Sequence, residues 1–231
     1  MKKYIESGVL FGDIHSFRDL NLVLAPFDYT PAVPKTKFIE IPGGDGTIDA
    51  TEADGTIHYQ DREFQFIFTV MPGDTLTFEE RQTAVAKALN GKRFEIILDK
   101  DPEYFWRGRV WIDEYASNKR LRQIAVVARV SPYKVKLQKR NVSIYTNESW
   151  KTEFVLQNDG CKTILPKLQY YDEEGQFVSM RRKGEYDWIH IPFSETYMVH
   201  PDFPLYPGTN CFELATIKST YVYFEYQEED L

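Results

Sequence analysis

Cysteine, basic charge and long apolar runs are all scarce in this chain, and each scarcity removes a class of function. Only two cysteines occur among 231 residues, Cys161 and Cys211, with no second ligand at metal spacing. Two thiols do not make a disulfide framework, so both are expected as buried free thiols in a reducing cytosol. No apolar stretch approaches the ~18 residues of a spanning helix, and the mean hydropathy is −0.45; no membrane partner is expected. Met1-Lys2-Lys3 resembles the start of a secretory signal, but Glu6 and Asp13 interrupt any apolar core behind it. Assembly in the cytosol is therefore expected.

Basic residues number 28 against 35 acidic ones, giving a formal charge of −7. Both halves of the chain are acidic about Pro132. That balance disfavours nonspecific binding to DNA or to an anionic membrane. The longest basic run, Arg181-Arg182-Lys183, lies between turn-like segments and is expected as a solvated hairpin tip.

Catalytic patterns are missing too. His15, His58, His190 and His200 occur singly, with no HExxH pair and no GxSxG elbow. The segment Pro42-Gly43-Gly44-Asp45-Gly46-Thr47 lacks the lysine and following helix of a phosphate loop, so its glycines serve the backbone. Asp99, Asp101 and Glu103 alternate along Asp99-Lys100-Asp101-Pro102-Glu103, but no Gly turn or later acid completes a calcium loop. The Asp-Pro step there is expected as a turn leading into Tyr104-Phe105-Trp106. No catalytic residue, metal or cofactor is expected, and the chain does not read as an enzyme.

What is abundant is aromatic: Phe, Trp and Tyr make up 15% of the residues. Such side chains suit the pleated surface of strands. Alternation of period two dominates, with Phe64, Phe66, Phe68 and Val70 on one face of a strand from Arg62. Ile124, Val126, Ala128 and Val130 repeat the pattern, and Ser117-Asn118-Lys119-Arg120 turns the chain into that strand as a hairpin. One helix stands out, from Phe78 to Asn90: Thr77 and Glu80 form a capping box, Gly91 suits the left-handed position after the end, and Phe78, Val85, Ala88 and Leu89 make its apolar face.

The chain breaks near Ser131-Pro132-Tyr133, dividing it into residues 1–133 and 134–231. The second part shows short strands parted by Asn158-Asp159-Gly160, Asp172-Glu173-Glu174-Gly175, Lys183-Gly184 and Pro207-Gly208-Thr209-Asn210, the pattern of a β-sandwich. Its last strand, Tyr221 to Tyr226, points Val222, Phe224 and Tyr226 inward, and Glu228-Glu229-Asp230 is expected to end in solvent. Trp150 and Trp188, with Tyr170, Tyr171 and Tyr197, are candidates for stacking a sugar ring. A module binding host cell-wall polysaccharide is thus the alternative to an assembly role.

Taken in order, several phrases resemble the distal tail protein (Dit) family of siphophages infecting Gram-positive bacteria. They are Phe11-Gly12-Asp13-Ile14-His15-Ser16; Pro42 to Asp49 with Thr51-Glu52; Leu89-Asn90-Gly91-Lys92; Asp99 to Val110; and Ser131-Pro132-Tyr133. Tyr206 to Asn210 followed by Phe212-Glu213-Leu214 resembles the closing strands of the family's galectin-like sandwich. The resemblance implies a mainly β fold: a sandwich-like belt domain with one helix and a hairpin, then a galectin-like sandwich. It implies a homo-hexameric ring at the virion tail tip. That ring would join the tail tube protein to a tail-associated lysin or tip hub, with a receptor-binding protein among its partners and DNA passing through the lumen without specific binding.

A closed ring needs two different surfaces on each subunit. The loop Gly43 to Gly55, beginning with Gly43, Gly44, Asp45 and Gly46, and the hairpin Ser117, Asn118, Lys119 and Arg120 are assigned to contacts between subunits or with the tube.

Overall fold

The structure is a computed structural model that describes residues 8–146, 151–170, 177–192, 194–216 and 219–231. It is mainly β, and its sheets are built on antiparallel strand pairs. The chain separates into two compact units, one up to Lys134 and the other from Val135 to Asp230.

In the first unit the elements run β1 (Val9–Phe11), β2 (Ile14–His15), β3 (Leu22–Leu24), β4 (Phe38–Glu40), β5 (Thr47–Asp49), β6 (Arg62–Val70), α1 (Phe78–Leu89), β7 (Arg93–Leu98), β8 (Asp101–Asn118) and β9 (Gln123–Val130). Seven of the strands form a path β2-β1-β7-β8-β9-β6-β3. The alternation in β6 works as the pattern requires: Phe64, Phe66, Phe68 and Val70 are buried, while Glu63 and Gln65 face out. Ile124, Val126, Ala128 and Val130 of β9 lie in the same core.

Three strands, β7, β8 and β9, lie between β1 and β6 along that path, yet the ring of Phe11 meets those of Phe66 and Phe68 at 6.0 and 6.4 Å, edge to face. The sheet therefore curls until β1 and β6, each next to one end of the path, share one core, which gives the unit its sandwich-like character.

Helix α1 covers that core with Val85 and Leu89 buried and Phe78 and Ala88 packed alongside. Its capping box is complete: the Thr77 hydroxyl accepts from the Glu80 amide and the Glu80 carboxylate accepts from the Thr77 amide at 2.9 Å. Gly91, at φ +75°, supplies the left-handed turn, and its N–H donates to Val110 O of β8 at 2.7 Å.

Asp101-Pro102 is not a turn. The reversal lies at Asp99-Lys100, and Leu98 pairs with Asp101 as the first residue of β8. Proline is tolerated there because the start of a strand can spare an N–H.

The second unit contains β10 (Lys134–Lys136, begun at the boundary), β11 (Arg140–Thr146), β12 (Thr152–Asn158), β13 (Lys167–Tyr170), β14 (Phe177–Arg182), β15 (Ile189–Pro192), β16 (Ser194–Val199), β17 (Gly208–Ala215), β18 (Thr220–Tyr226) and β19 (Glu229–Asp230). Two four-stranded sheets, β11-β18-β13-β16 and β12-β17-β14-β15, face each other across one core. Phe154 of one sheet and Phe224 of the other meet at 5.4 Å. Val222, Phe224 and Tyr226 point inward.

Three expectations for this unit are overturned. Cys161 and Cys211 are exposed, not buried. Cys211 sits between buried Asn210 and buried Phe212, so strand alternation turns it outward. The acidic tail does not end in solvent: Glu228 is 3% exposed, receives Lys136 at 3.2 Å and Arg140 at 2.7 Å, and accepts the Asp159 amide at 3.0 Å. Its partners stand far away in sequence, which is why the acidic run reads locally as solvated. Arg181 and Arg182 are not a solvated tip, since they end β14 and only Lys183-Gly184 form the turn.

Candidate functional site

The Gly43 to Gly46 loop is the tip of an arm inserted between β3 and β6. The arm opens where Pro34 bridges Tyr59 and Lys35 N donates to His58 O at 2.7 Å. Its ribbon, β4 against β5, has three residue pairs: Phe38 with Asp49, Ile39 with Ile48, and Glu40 with Thr47. All six residues are exposed, including Phe38 at 58% and Ile48 at 56%.

Gly43 and Gly46 have φ of +72° and +80°, backbone that only glycine adopts without strain, and no atom lies within 4 Å of where a Cβ would stand. A two-stranded ribbon is marginal in water by itself. Phe38, Ile39 and Ile48 are nevertheless held out on it as exposed apolar side chains.

Ser117, Asn118, Lys119 and Arg120 occupy the tip of the β8–β9 hairpin, but most of them are engaged within the chain. The Ser117 hydroxyl donates to Asp113 O at 2.7 Å and accepts from the Ala125 amide at 3.0 Å. Asn118 Oδ1 accepts from Leu121 N, and Lys119 pairs with Glu79 on α1. Arg120 is exposed.

The alternating acids are likewise absorbed into local structure. Asp99 accepts from His15 Nε2 at 3.2 Å and from the Gly8 amide at 2.8 Å. Backbone N–H groups of Phe17 and Arg18 donate to His15 Nδ1, so the ring proton sits on Nε2. Asp101 pairs with Lys134 at 3.2 Å and accepts from Tyr29. Burial first, and then the Asp101 charge, push the Tyr29 hydroxyl up to about 12. Glu103 faces out. Among the described residues no three of His, Cys, Asp and Glu gather as a metal site.

In the second unit, Trp150 and Tyr171 lie outside the described residues. Tyr170 belongs to the core and is no platform. Trp188 is half-buried with the Arg181 guanidinium 4.5 Å from its ring centroid, so one face is already covered. Arg181 also grips Glu213, 3% exposed, which receives Lys151 at 2.6 Å; the hydrogen bond from Lys151 first, and then that from Arg181, hold the Glu213 carboxyl below its usual range against the opposing effect of burial.

Exposed aromatics do occur on the outer face of β11 and β18. Tyr145 and Tyr221 are paired across the strands with ring centroids 4.9 Å apart, and Tyr223 follows at 6.1 Å, nearly parallel to Tyr221. The group is not legible in the sequence, because Tyr145 is brought beside Tyr221 and Tyr223 only by the pairing of β11 with β18.

A cleft of 330 Å³ opens beside Arg182, Phe203, Tyr206 and Phe212. Arg182 is fixed there, 4.6 Å from the centroid of Tyr206 and 4.9 Å from that of Phe212, and it donates to Asn210 Oδ1 and Pro204 O.

No protein-family model matches the chain, and no curated protein matches it. Among solved structures, the crystal structure of SPP1 Dit (gp 19.1), described as a paradigm of hub adsorption apparatus in Gram-positive infecting phages, is similar. The TM-score is 0.66 with 11% identity, over 97% of this chain and 99% of that one. At this identity the likeness is one of fold, and it extends along nearly the whole length of both chains.

Proposed function

We propose that this chain is a structural component of a phage tail tip, a hub whose copies close into a hexameric ring. The observation that carries the reading is the end-to-end likeness of fold to a phage hub protein. The belt domain, residues 1–133, forms the ring, and residues 134–231 form a galectin-like sandwich. One ring face meets the tail tube protein and the other a tail-associated lysin or tip hub, with a receptor-binding protein attached at the periphery. DNA crosses the lumen without base-specific contact, and the chain performs no reaction.

The arm supports this reading independently. A two-stranded ribbon that exposes Phe38, Ile39 and Ile48 is marginal in water by itself, and a neighbouring subunit that covers it would stabilise it. The loop from Gly43 to Gly55 and the tip around Arg120 are assigned to the subunit or tube interface. Light scattering and electron microscopy of the purified chain, alone and with its tail partners, test the ring: a six-fold particle is expected. A monomer at every concentration and in every mixture overturns the reading.

A second role for the sandwich is favoured by one observation, the exposed row of Tyr145, Tyr221 and Tyr223. The apolar C–H face of a sugar ring lies well on such rings, whose faces are weakly negative. Trp188 offers its uncovered face to the same end, and Trp150 is the remaining candidate. Saturable binding of host cell-wall polysaccharide to the whole chain, lost in Tyr221→Ala/Tyr223→Ala, would establish it; unchanged binding in that variant assigns any affinity elsewhere.

A further inference from the structure

The outer face of the first unit's sheet carries a row of three arginines on adjacent strands, two of which the fold leaves without a carboxylate partner among the described residues. Register places Arg93 of β7 opposite Arg109 of β8, and Arg109 opposite Arg129 of β9, so three guanidinium groups project from adjacent strands on one side. All three are exposed. Directly opposed side chains on neighbouring strands have Cβ atoms roughly 5 Å apart, and like charges there repel. Arg129 has Asp61 at 3.0 Å, itself at the base of the arm, and stands opposite Glu63 of β6, while Glu95, two residues from Arg93, pairs with Arg107. Arg109 donates to a backbone carbonyl, Gly91 O, and neither it nor Arg93 forms an ion pair among the described residues.

The arm is the counterpart. Between Phe38 and Gln60 the sequence holds five acidic residues and no lysine or arginine. The β4–β5 pairing sorts the ribbon into two faces. Ile39 and Ile48 share one, while Phe38, Glu40, Thr47 and Asp49 share the other. Nearby hydroxyl and amide donors of Thr51 hold Asp49 below its usual range, so it is charged at neutral pH.

We infer that in the ring the acidic face of one subunit's arm lies across the Arg93–Arg109–Arg129 row of the next, a second copy of this chain. The inference rests on the ring reading and specifies how it closes. Chains that each carry −7 repel one another as they assemble. A cationic patch on one side favours an interface joining them, and Arg93 and Arg109 against the acidic face of the arm, whose two lysines, Lys35 and Lys37, stand at its base, supply one. The pairing is heterologous, arm to sheet, as a closed rotation requires.

Charge reversal in two sets of full-length chains tests this, with thermal melts confirming that each variant folds. Arg93→Glu/Arg109→Glu reverses the row, and Glu40→Lys/Asp49→Lys reverses the arm. Each variant alone should associate at least about tenfold more weakly than the native chain, more so at low salt. Mixed in equal amounts, the two sets should assemble again, because in an alternating ring every arm then meets a row of opposite sign.

If the native chain assembles and the single sets assemble equally well, the arm lies elsewhere and the inference fails while the ring stands. If each set fails and the mixture also fails, arm and row meet different partners, which again overturns it. If row reversal leaves assembly intact but abolishes retention of a short DNA duplex, the row serves phosphates instead. A native chain that never assembles removes the ring reading itself.

Discussion

Arg81 and Asp74 meet in a two-point contact, with Nε to Oδ2 and Nη2 to Oδ1 both at 2.6 Å, fastening the first turn of α1 to the loop that precedes it. The Asp74 side chain is almost fully enclosed, and its Oδ1 also accepts from the Leu76 amide at 3.2 Å. Parallel N–H donors to one carboxylate make this among the strongest polar contacts a surface element can have.

Acid stability follows from that geometry. Hydrogen bonds from Arg81, opposed in part by burial, pull the Asp74 carboxyl down from 3.8 to about 2. The folded chain thus holds its proton less tightly than the unfolded chain. Stabilisation is complete above the unfolded value near 4 and is lost as pH falls toward 2. Asp74→Asn should lower stability at pH 7 by ~2 kcal/mol and flatten the fall between pH 4 and 2. Urea titrations of both chains at pH 7, 4 and 2.5 read it; an unchanged acid limb in the variant excludes Asp74 as its source.

Gly108 lies where two strands come closest. A Cβ there would stand 2.4 Å from Arg129 O and 2.9 Å from Val130 Cα, both backbone atoms that cannot swing aside. Gly108→Ala is expected to cost about 1–3 kcal/mol through separation of β8 from β9. A urea midpoint equal to that of the native chain would show that the strands part without strain.

Asn210 stitches the Tyr206-Pro207-Gly208 turn from inside. Its Nδ2 donates to Tyr206 O and Gly208 O, and its Oδ1 accepts from Tyr206 N and Arg182 Nη1. Truncation to alanine leaves buried donors and acceptors unmatched, at a cost of roughly 2–4 kcal/mol. Calorimetry of Asn210→Ala should show a lower Tm; a shift below 2 °C would mean that water replaces the amide.

Both thiols should react in the folded chain. Cys161 and Cys211 are exposed, so a colourimetric thiol reagent is expected to titrate two groups per chain without denaturant. Titration of neither until urea is added would restore the buried reading.

Much of the first unit was legible because its signals are local. Thr77 and Glu80 are three residues apart, and Phe64, Phe66 and Phe68 repeat at the period of a strand, so helix and strand could be placed to within a residue or two. Partners remote in sequence were not legible. Glu228 reads as part of a solvated tail until Lys136 and Arg140 are brought beside it, and Arg181 reads as solvated until Glu213 is. The arginine row was hidden for the same reason, since Arg93, Arg109 and Arg129 align only once strand register is known.

The arm's three-pair ladder makes it a reporter of assembly. Few backbone bonds and no covering layer leave its amide protons open to exchange with deuterated solvent in the lone chain. Once a neighbour lies on the ribbon, those same protons should slow by orders of magnitude while the Phe64 to Phe68 core, already sealed, stays as it was.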